Sequence, residues 1–346
     1  MLHRFHKYSL WFIILLSCFL STTFACTRVL RVDQDHGVMV GRNMDWMEDM
    51  QTNLVVFPRG EARMGDIGDN PLNWVSKYGN IVATAYGIIT TDGLNEAGLS
   101  GHILWLDNSD YGKRDENQPD LSVMMWLQYY LDNFKTVAEA VRFTETNKLQ
   151  IVPYFHPVTN RWLNLHLALD DATGDSAIIE YTNGTMHIYH DRNHITMTND
   201  PSFDKQLANL KQYKVFGGDK PLPGTSSPLD RFVRATHYTQ ELPKATSTQD
   251  ELYGVLSVIN NAAQPFKIGT ADKPHMSKTL WHTIADLTHH VYYFQSTSNQ
   301  NLVSASLDKF NLKAGSPTMI LDVAHHPEYV GDMTDKFMSM DEYMDS

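Results

Sequence analysis

Apolar and polar residues alternate along much of the first half of the chain, and that alternation predicts strands. Thr27–Val32 alternates, Asp35-His36-Gly37 turns, and Val38–Val40 returns, the pattern of a hairpin that leads into Arg42-Asn43-Met44-Asp45-Trp46. Asn53–Phe57 reads as a strand stopped by Pro58. Ile81–Ile89 reads as one long strand, Asp92-Gly93-Leu94-Asn95 as a turn, and Leu99–Leu106 as the return. Four further strands follow: Leu163–Leu169, Ser176–Tyr181, then Met186–Tyr189 beyond an Asn183-Gly184 turn, and His194–Thr198. Helical spacing appears at Leu121–Leu131, capped by Asp120, and at Val137–Glu145, opened by a Thr136/Glu139 capping box. It returns at Leu229–Glu241 and Thr248–Asn260. Thr279–Ala285 and Val291–Gln295 pair around Asp286-Leu287-Thr288, and Pro317–Val323 is a last strand. The acidic, Met-rich tail Gly331–Ser346 covers the surface. Strands and helices in separate runs imply an α+β protein with two antiparallel sheets and helices segregated outside.

A different pattern precedes the first strand. Leu10–Leu20 is an apolar run, with Arg4 and Lys7 before it and Thr23-Phe24-Ala25 after it. A positive stretch, a short apolar run and a small-x-Ala site are the parts of a secretory signal. The run falls well short of the about 20 residues that a spanning helix needs. Cleavage after Ala25 would make residues 26–346 one mature domain, periplasmic or secreted, and Cys26 its first residue.

A terminal cysteine carries its own base. The α-amine has a reference pKa of about 7.7–8.0 against about 8.5 for a thiol, so it can take the thiol proton near neutral pH. The thiolate is the nucleophile, and an adjacent base is the usual way to activate one. Cys18 leaves with the signal, so Cys26 has no intrachain partner for a disulfide. The competing reading is an acylated Cys26 anchoring an envelope binding protein. A lipobox wants an aliphatic residue three places before the cysteine and small residues between, whereas Thr23 and Phe24 stand there.

Charge narrows the partners. The 346-residue chain has a net charge of −12, which becomes −14 once Arg4 and Lys7 are removed. A surface that acidic argues against nucleic acid. With G-x-G-x-x-G, P-loop, G-x-S-x-G and H-E-x-x-H motifs all lacking, no nucleotide, cofactor or metal is implied. The pairs His289-His290 and His325-His326 read as surface or turn histidines.

Five segments in order resemble the choloylglycine hydrolase family, which groups bile salt hydrolases and penicillin V acylases. They are Cys26 after a signal, Gly41-Arg42-Asn43-Met44-Asp45-Trp46, Asp92 to Leu99, Thr198 to Phe203, and Asp230-Arg231-Phe232. The resemblance implies a four-layer αββα N-terminal-nucleophile sandwich that hydrolyses linear carbon–nitrogen amide bonds. It puts Cys26 in the nucleophile's place, Arg42 beside the sulfur, Asp45 on the α-amine, Asn199 in the oxyanion hole and Arg231 as a second arginine near the site. It also implies a small N-acyl amide substrate and a homo-oligomer, a tetramer in this family. Trp105 stands where bile-salt members tend to carry Asn and penicillin V acylases an aromatic residue. The interval from Asn199 to Arg231 is shorter than bile-salt members usually have. Both features point to the Gram-negative subgroup that resembles penicillin V acylases and also cleaves N-acyl homoserine lactones, with a bile salt hydrolase as the alternative. Trp46 and Trp105 are expected to wall the acyl slot.

The intact mass of the purified mature protein is expected to match residues 26–346 with a free terminal cysteine. An increment equal to acyl chains on Cys26 would refute the enzymatic reading in favour of the anchor.

Overall fold

The structure is a computed structural model, describing residues 26–87, 89–147, 149–157, 160–266 and 277–346; the signal segment lies outside the described residues. Two large sheets stack face to face. The first has seven strands: β1 Thr27–Asp33, β2 Gly37–Trp46, β10 Thr196–Met197, β11 Lys278–Asp286, β12 Val291–Ser296, β13 Leu302–Ser306 and β15 Gly331–Asp332. Their order is β10-β1-β2-β11-β12-β13-β15, antiparallel except at the last pair. The second has nine: β3 Leu54–Phe57, β4 Asn80–Ala85, β5 Ile89–Asn95, β6 Leu99–Trp105, β7 Leu165–Asp171, β8 Ser176–Thr182, β9 Thr185–His190, β14 Met319–Leu321 and β16 Met338–Ser339. Their order is β9-β8-β7-β6-β5-β4-β3-β14-β16.

Helices α1 (Trp126–Asn133) and α2 (Val137–Asn147) cover the outer face of the second sheet. Helices α4 (Pro228–Glu241) and α5 (Thr248–Ala262) cover the first. This is the expected αββα layering. A large core including Leu30, Val40, Val82, Leu104 and Tyr292 lies on the second sheet's side, and a smaller one of Val29, Met39, Val255, Ile259 and Ile284 lies under α4 and α5. Fully burying each such aliphatic side chain stabilises the fold by about 1.5–3 kcal/mol.

Several elements differ from the sequence reading, each for a tertiary reason. Ile81–Ile89 is two strands, because Tyr86 (φ 53°) and Gly87 (φ 72°) turn the chain inside the apolar run. Asp92-Gly93-Leu94-Asn95 is the end of β5, not a turn. A Cβ on Gly93 would stand 2.8 Å from Leu131 Cδ1 of α1, so its glycine allows a close approach rather than a bend. The turn comes one step later, at Gly98 (φ 84°), where Asn95 Oδ1 accepts the Ala97 and Leu99 amides. Asp120 caps no helix: Asp120–Ser122 pairs in parallel with Gln150–Val152, and its carboxylate takes Arg114 and Gln150. Every residue of α1 is buried, so no polar face marked its true start. Pro317–Val323 shrinks to β14, and His194–Thr198 to β10. Helix α3 (Phe203–Leu210) and strand β13 were not anticipated. The tail is docked: β16 pairs with β14, Phe337 is buried, and α6 (Met340–Asp345) opens with a Ser339/Glu342 capping box. Among the described residues no helix is long and apolar enough to cross a membrane.

Glycine also sets how closely α5 approaches the first sheet. A Cβ on Gly41 of β2 would sit 2.6 Å from Val255 Cγ1 and 2.9 Å from Ile259 Cγ2, both on branched side chains that cannot swing away. Gly41→Ala is therefore expected to cost about 1–3 kcal/mol in urea unfolding, the usual range for overpacking. Gly224→Ala, with no neighbour within 4 Å, should cost almost nothing. Equal stability of the two variants would disprove the close-approach account.

Candidate active site

The β1–β2 hairpin brings the site together. Thr27 pairs with Asn43 and Arg28 with Arg42, so Cys26, at the head of β1, lies beside the end of β2. Side chains alternate across a strand. Arg42 and Met44 therefore face the second sheet, while Asn43 faces α5, donating from Nδ2 to Ile259 O (2.7 Å). Cys26 is 3% exposed. Its Sγ lies 4.0 Å from Arg42 Nη2 and 3.8 Å from Asp45 O.

Three elements distant in sequence close around it. Arg231 of α4 donates from Nη1 to Cys26 O (2.6 Å) and Thr27 Oγ1 (2.5 Å), and from Nη2 to Asn199 Oδ1 (3.1 Å). Asn199 Nδ2 donates to Trp105 O at 2.8 Å. Asp45 Oδ1 accepts from Thr279 Oγ1, and Thr279 Oγ1 in turn accepts the Gln264 amide at 2.7 Å. The structure thus gathers Cys26, Arg42, Asp45, Asn199 and Arg231 around one point.

The main chain of Trp105 points the same way. Leu106 N–H donates to Asn164 O, so in the alternating antiparallel ladder the next pair, Trp105–Leu165, exchanges no bonds. Leu165 N–H accordingly donates to Tyr111 OH (2.8 Å). The N–H and C=O of Trp105 both turn toward Asn199, on the side where β5 stays in register only as far as His102.

A largely apolar cavity opens over the sulfur, lined among others by Trp46, Met50, Tyr86, Ile89, Trp105 and Leu165. It holds about 510 Å³ of space between atoms, part of it open to solvent. The Trp46 and Trp105 rings stand 5.6 Å apart at 52°. Trp46 Nε1 donates to Tyr86 OH (2.8 Å), which donates to Glu48 Oε1 (2.7 Å).

Burial pushes the Cys26 thiol up; Arg42 and Arg231 act in the opposite direction, and Asp45 adds to the rise. Burial lowers Arg231 to about 10, still a cation at neutral pH. Arg42 itself is countered by Asp92 (Nη1 to Oδ2, 3.7 Å) and lies over the Trp281 ring at 5.0 Å. Asp92 also takes His102 Nδ1 (2.5 Å), Tyr292 OH (2.5 Å) and Thr283 Oγ1 (3.1 Å). Burial lowers the His102 pKa, and the Asp92 carboxylate against Nδ1 acts in the opposite direction.

Sequence reasoning missed Asp92, Thr279 and Gln206. Asp92 had a signal: it opens the Asp92 to Leu99 segment on which the family resemblance rests. The other two have none, because an isolated Thr or Gln is ordinary anywhere. Among the described residues no group of three or more His, Cys, Asp or Glu stands together as a metal site. His289 and His290 instead bond to Asp286 and Asp308.

An αββα sandwich whose leading strand opens on a buried thiol at an inter-sheet cavity has the architecture of the N-terminal-nucleophile hydrolases. A family profile described as linear amide C–N hydrolases, choloylglycine hydrolase family, matches residues 26–323, and the chain belongs to that family. It is 38% identical to the penicillin V acylase of Pectobacterium atrosepticum over 312 residues, covering 84% of this chain and 83% of that one. The solved penicillin V acylase of Agrobacterium tumefaciens superposes with a TM-score of 0.82 at 40% identity, over 91% of this chain and 98% of that one. A variant of the conjugated bile acid hydrolase of Clostridium perfringens shares the fold. Its TM-score is 0.73 at 24% identity, over 86% of this chain and 96% of that one.

Because Arg42 lowers the thiol pKa, Arg42→Gln should raise it further and move reactivity to higher pH. The rate of Cys26 alkylation by iodoacetamide, followed against pH, is expected to turn on later in the variant. Coincident profiles would show that Arg42 does not act on the sulfur.

Proposed function

We propose that the protein is a periplasmic or secreted amidohydrolase, matured by cleavage after Ala25, that acts as a penicillin V acylase and accepts long-chain N-acyl homoserine lactones. The observation that carries this reading is the pair of indoles, Trp46 and Trp105, walling the cavity above Cys26. The family match beginning at residue 26 and the two penicillin V acylase relatives support it.

In this mechanism the free α-amine, held by Asp45, takes the Cys26 thiol proton as the sulfur attacks the amide carbon. Arg42 favours the thiolate. The carbonyl oxygen becomes an oxyanion facing Asn199 Nδ2 and the Trp105 N–H, donors positioned before the charge appears. Collapse breaks the carbon–nitrogen bond while the protonated amine gives its proton to the leaving nitrogen. A water, deprotonated by the same amine, then attacks the thioester; the acid departs and the thiol is restored. Arg231 tethers Cys26 O and Asn199 together, which sets the sulfur against the oxyanion donors.

Two tilted rings leave a slot that suits a flat phenoxyacetyl group or a flexible acyl chain better than a rigid steroid. Aromatic pairing adds about 0.5–1.5 kcal/mol beyond area burial, a preference of roughly 2- to 10-fold. The order of kcat/KM is therefore expected to be penicillin V first, with long-chain acyl homoserine lactones cleaved and glycocholate and taurocholate last. Trp46→Ala and Trp105→Ala should flatten that order. Cys26→Ala, or any residue retained ahead of Cys26, should abolish turnover. Glycocholate as the best substrate, or a ranking unmoved in both Trp variants, would overturn the acyl-slot assignment.

A further inference from the structure

Trp105 and Asn199 come from different sheets, so no shared strand register sets the distance between them. Trp105 ends β6, and Asn199 follows β10. Beyond the Asn199–Trp105 bond, the Asp200 side chain joins the two segments. Asp200 Oδ2 accepts the Asp107 amide at 2.9 Å, and Asp200 Oδ1 accepts from Asn108 Nδ2 at 3.3 Å. The Asp107–Asn108 segment is tied in turn to the cavity wall and to β7. Trp105 Nε1 donates to Asp107 Oδ1 (3.2 Å), and Asn164 Nδ2 donates to Asp107 O (2.8 Å). Behind Asp200, the buried Gln206 of α3 offers Nε2 to Thr198 Oγ1 (3.0 Å), Asn199 O (3.0 Å) and Asp200 O (3.2 Å). The Asn199 segment is thus gripped from both sides.

We infer that Asp200 is a positioning residue for amide hydrolysis: its two carboxylate oxygens clasp the segment after Trp105 and hold Asn199 Nδ2 and the Trp105 N–H at the spacing that a tetrahedral oxyanion needs. The inference rests on the reading that those two groups form the oxyanion site. A carboxylate suits the task because it accepts from two adjacent donors at once. Asp107 and Asn108 are exposed, so water can satisfy both donors when the clasp is removed. The folded state therefore depends on it little, while the alignment of donors depends on it strongly. A displacement of about 1 Å at a reacting centre can cost on the order of 10²-fold.

The test uses the mature full-length enzyme and four variants, Asp200→Ala, Asp200→Asn, Asn108→Ala and Asn199→Ala. Steady-state kinetics use the amide that the wild type cleaves fastest, penicillin V on the reading above. Two inhibitors separate alignment from binding: phenoxyacetaldehyde, whose adduct with Cys26 places an oxygen at the oxyanion position, and phenoxyacetic acid, which makes no adduct. Asp200→Ala is expected to lose roughly 10- to 100-fold in kcat, with KM moved by less than about threefold. Phenoxyacetaldehyde should weaken in parallel while phenoxyacetic acid does not. Asp200→Asn keeps one acceptor for the Asp107 amide and should recover most of the loss. Asn199→Ala should lose about 10²–10³-fold in kcat. A folded Asp200→Ala with wild-type kcat beside a disabled Asn199→Ala would overturn the clasp and leave the oxyanion reading standing. Wild-type kcat in Asn199→Ala would overturn both. Should Asp200→Ala fail to fold, Asn108→Ala decides: loss of one exposed donor should lower kcat severalfold, and an unchanged kcat would overturn the proposal.

Discussion

Burying the leading end of β1 is the constraint from which the site follows. Cys26 opens β1 inside the sandwich, where main-chain polar groups find no water and must be satisfied by protein. Arg231 answers that demand, bonding Cys26 O and Thr27 Oγ1 and reaching on to Asn199 Oδ1. A fully buried guanidinium is costly to desolvate, and its fan of donors offsets the cost only when each finds an acceptor. The geometry that satisfies Arg231 is therefore the geometry that sets the thiol against Asn199.

A second buried charge system crosses the gap between the sheets. Arg42, Asp92, His102, Asp170 and Arg28 are all fully buried and in sequence of contact. Two arginines and two carboxylates face one another, with His102 between Asp92 and Asp170. Buried ion pairs add little net stability over apolar packing, but losing one partner strands the other. The arrangement thus holds Arg42 to one position beside the sulfur, at the cost of an interior that tolerates little substitution at these residues. Its carboxylates come from β5 and β7 and its arginines from β1 and β2, so it also locks the register of one sheet over the other.

The cavity above the thiol has the opposite character. Its aromatic lining raises the thiol pKa by excluding water, while Arg42 and Arg231 restrain the rise. On the proposed function, the same apolar lining favours apolar acyl groups and strengthens any hydrogen bond made to a developing oxyanion. The apolar character of the cavity and the raised thiol pKa therefore share one physical origin, the exclusion of water.

The sequence by itself determined which segments alternate, and so the two-sheet core and the β1–β2 hairpin that puts Arg42 and Asp45 beside Cys26. It also marked Cys26 through its place after an apolar leader, and Asn199 and Arg231 through family likeness. It could not reveal why those two meet Cys26, because the contact joins β1, the end of β10 and the face of α4 over separations of about 170 and 205 residues. Local patterning carries no information on such pairings. Asp92-Gly93 shows the same limit: polar and small residues together imply a turn. Only the packed structure showed an aspartate wanted by Arg42 and His102, and a glycine made necessary by Leu131 of α1. The buried face of α1 and the grip of Gln206 and Asp200 on the Asn199 segment were likewise decided by tertiary contact. Hydrophobic periodicity reports which side of an element faces inward, and only the assembled layers determine what it meets there.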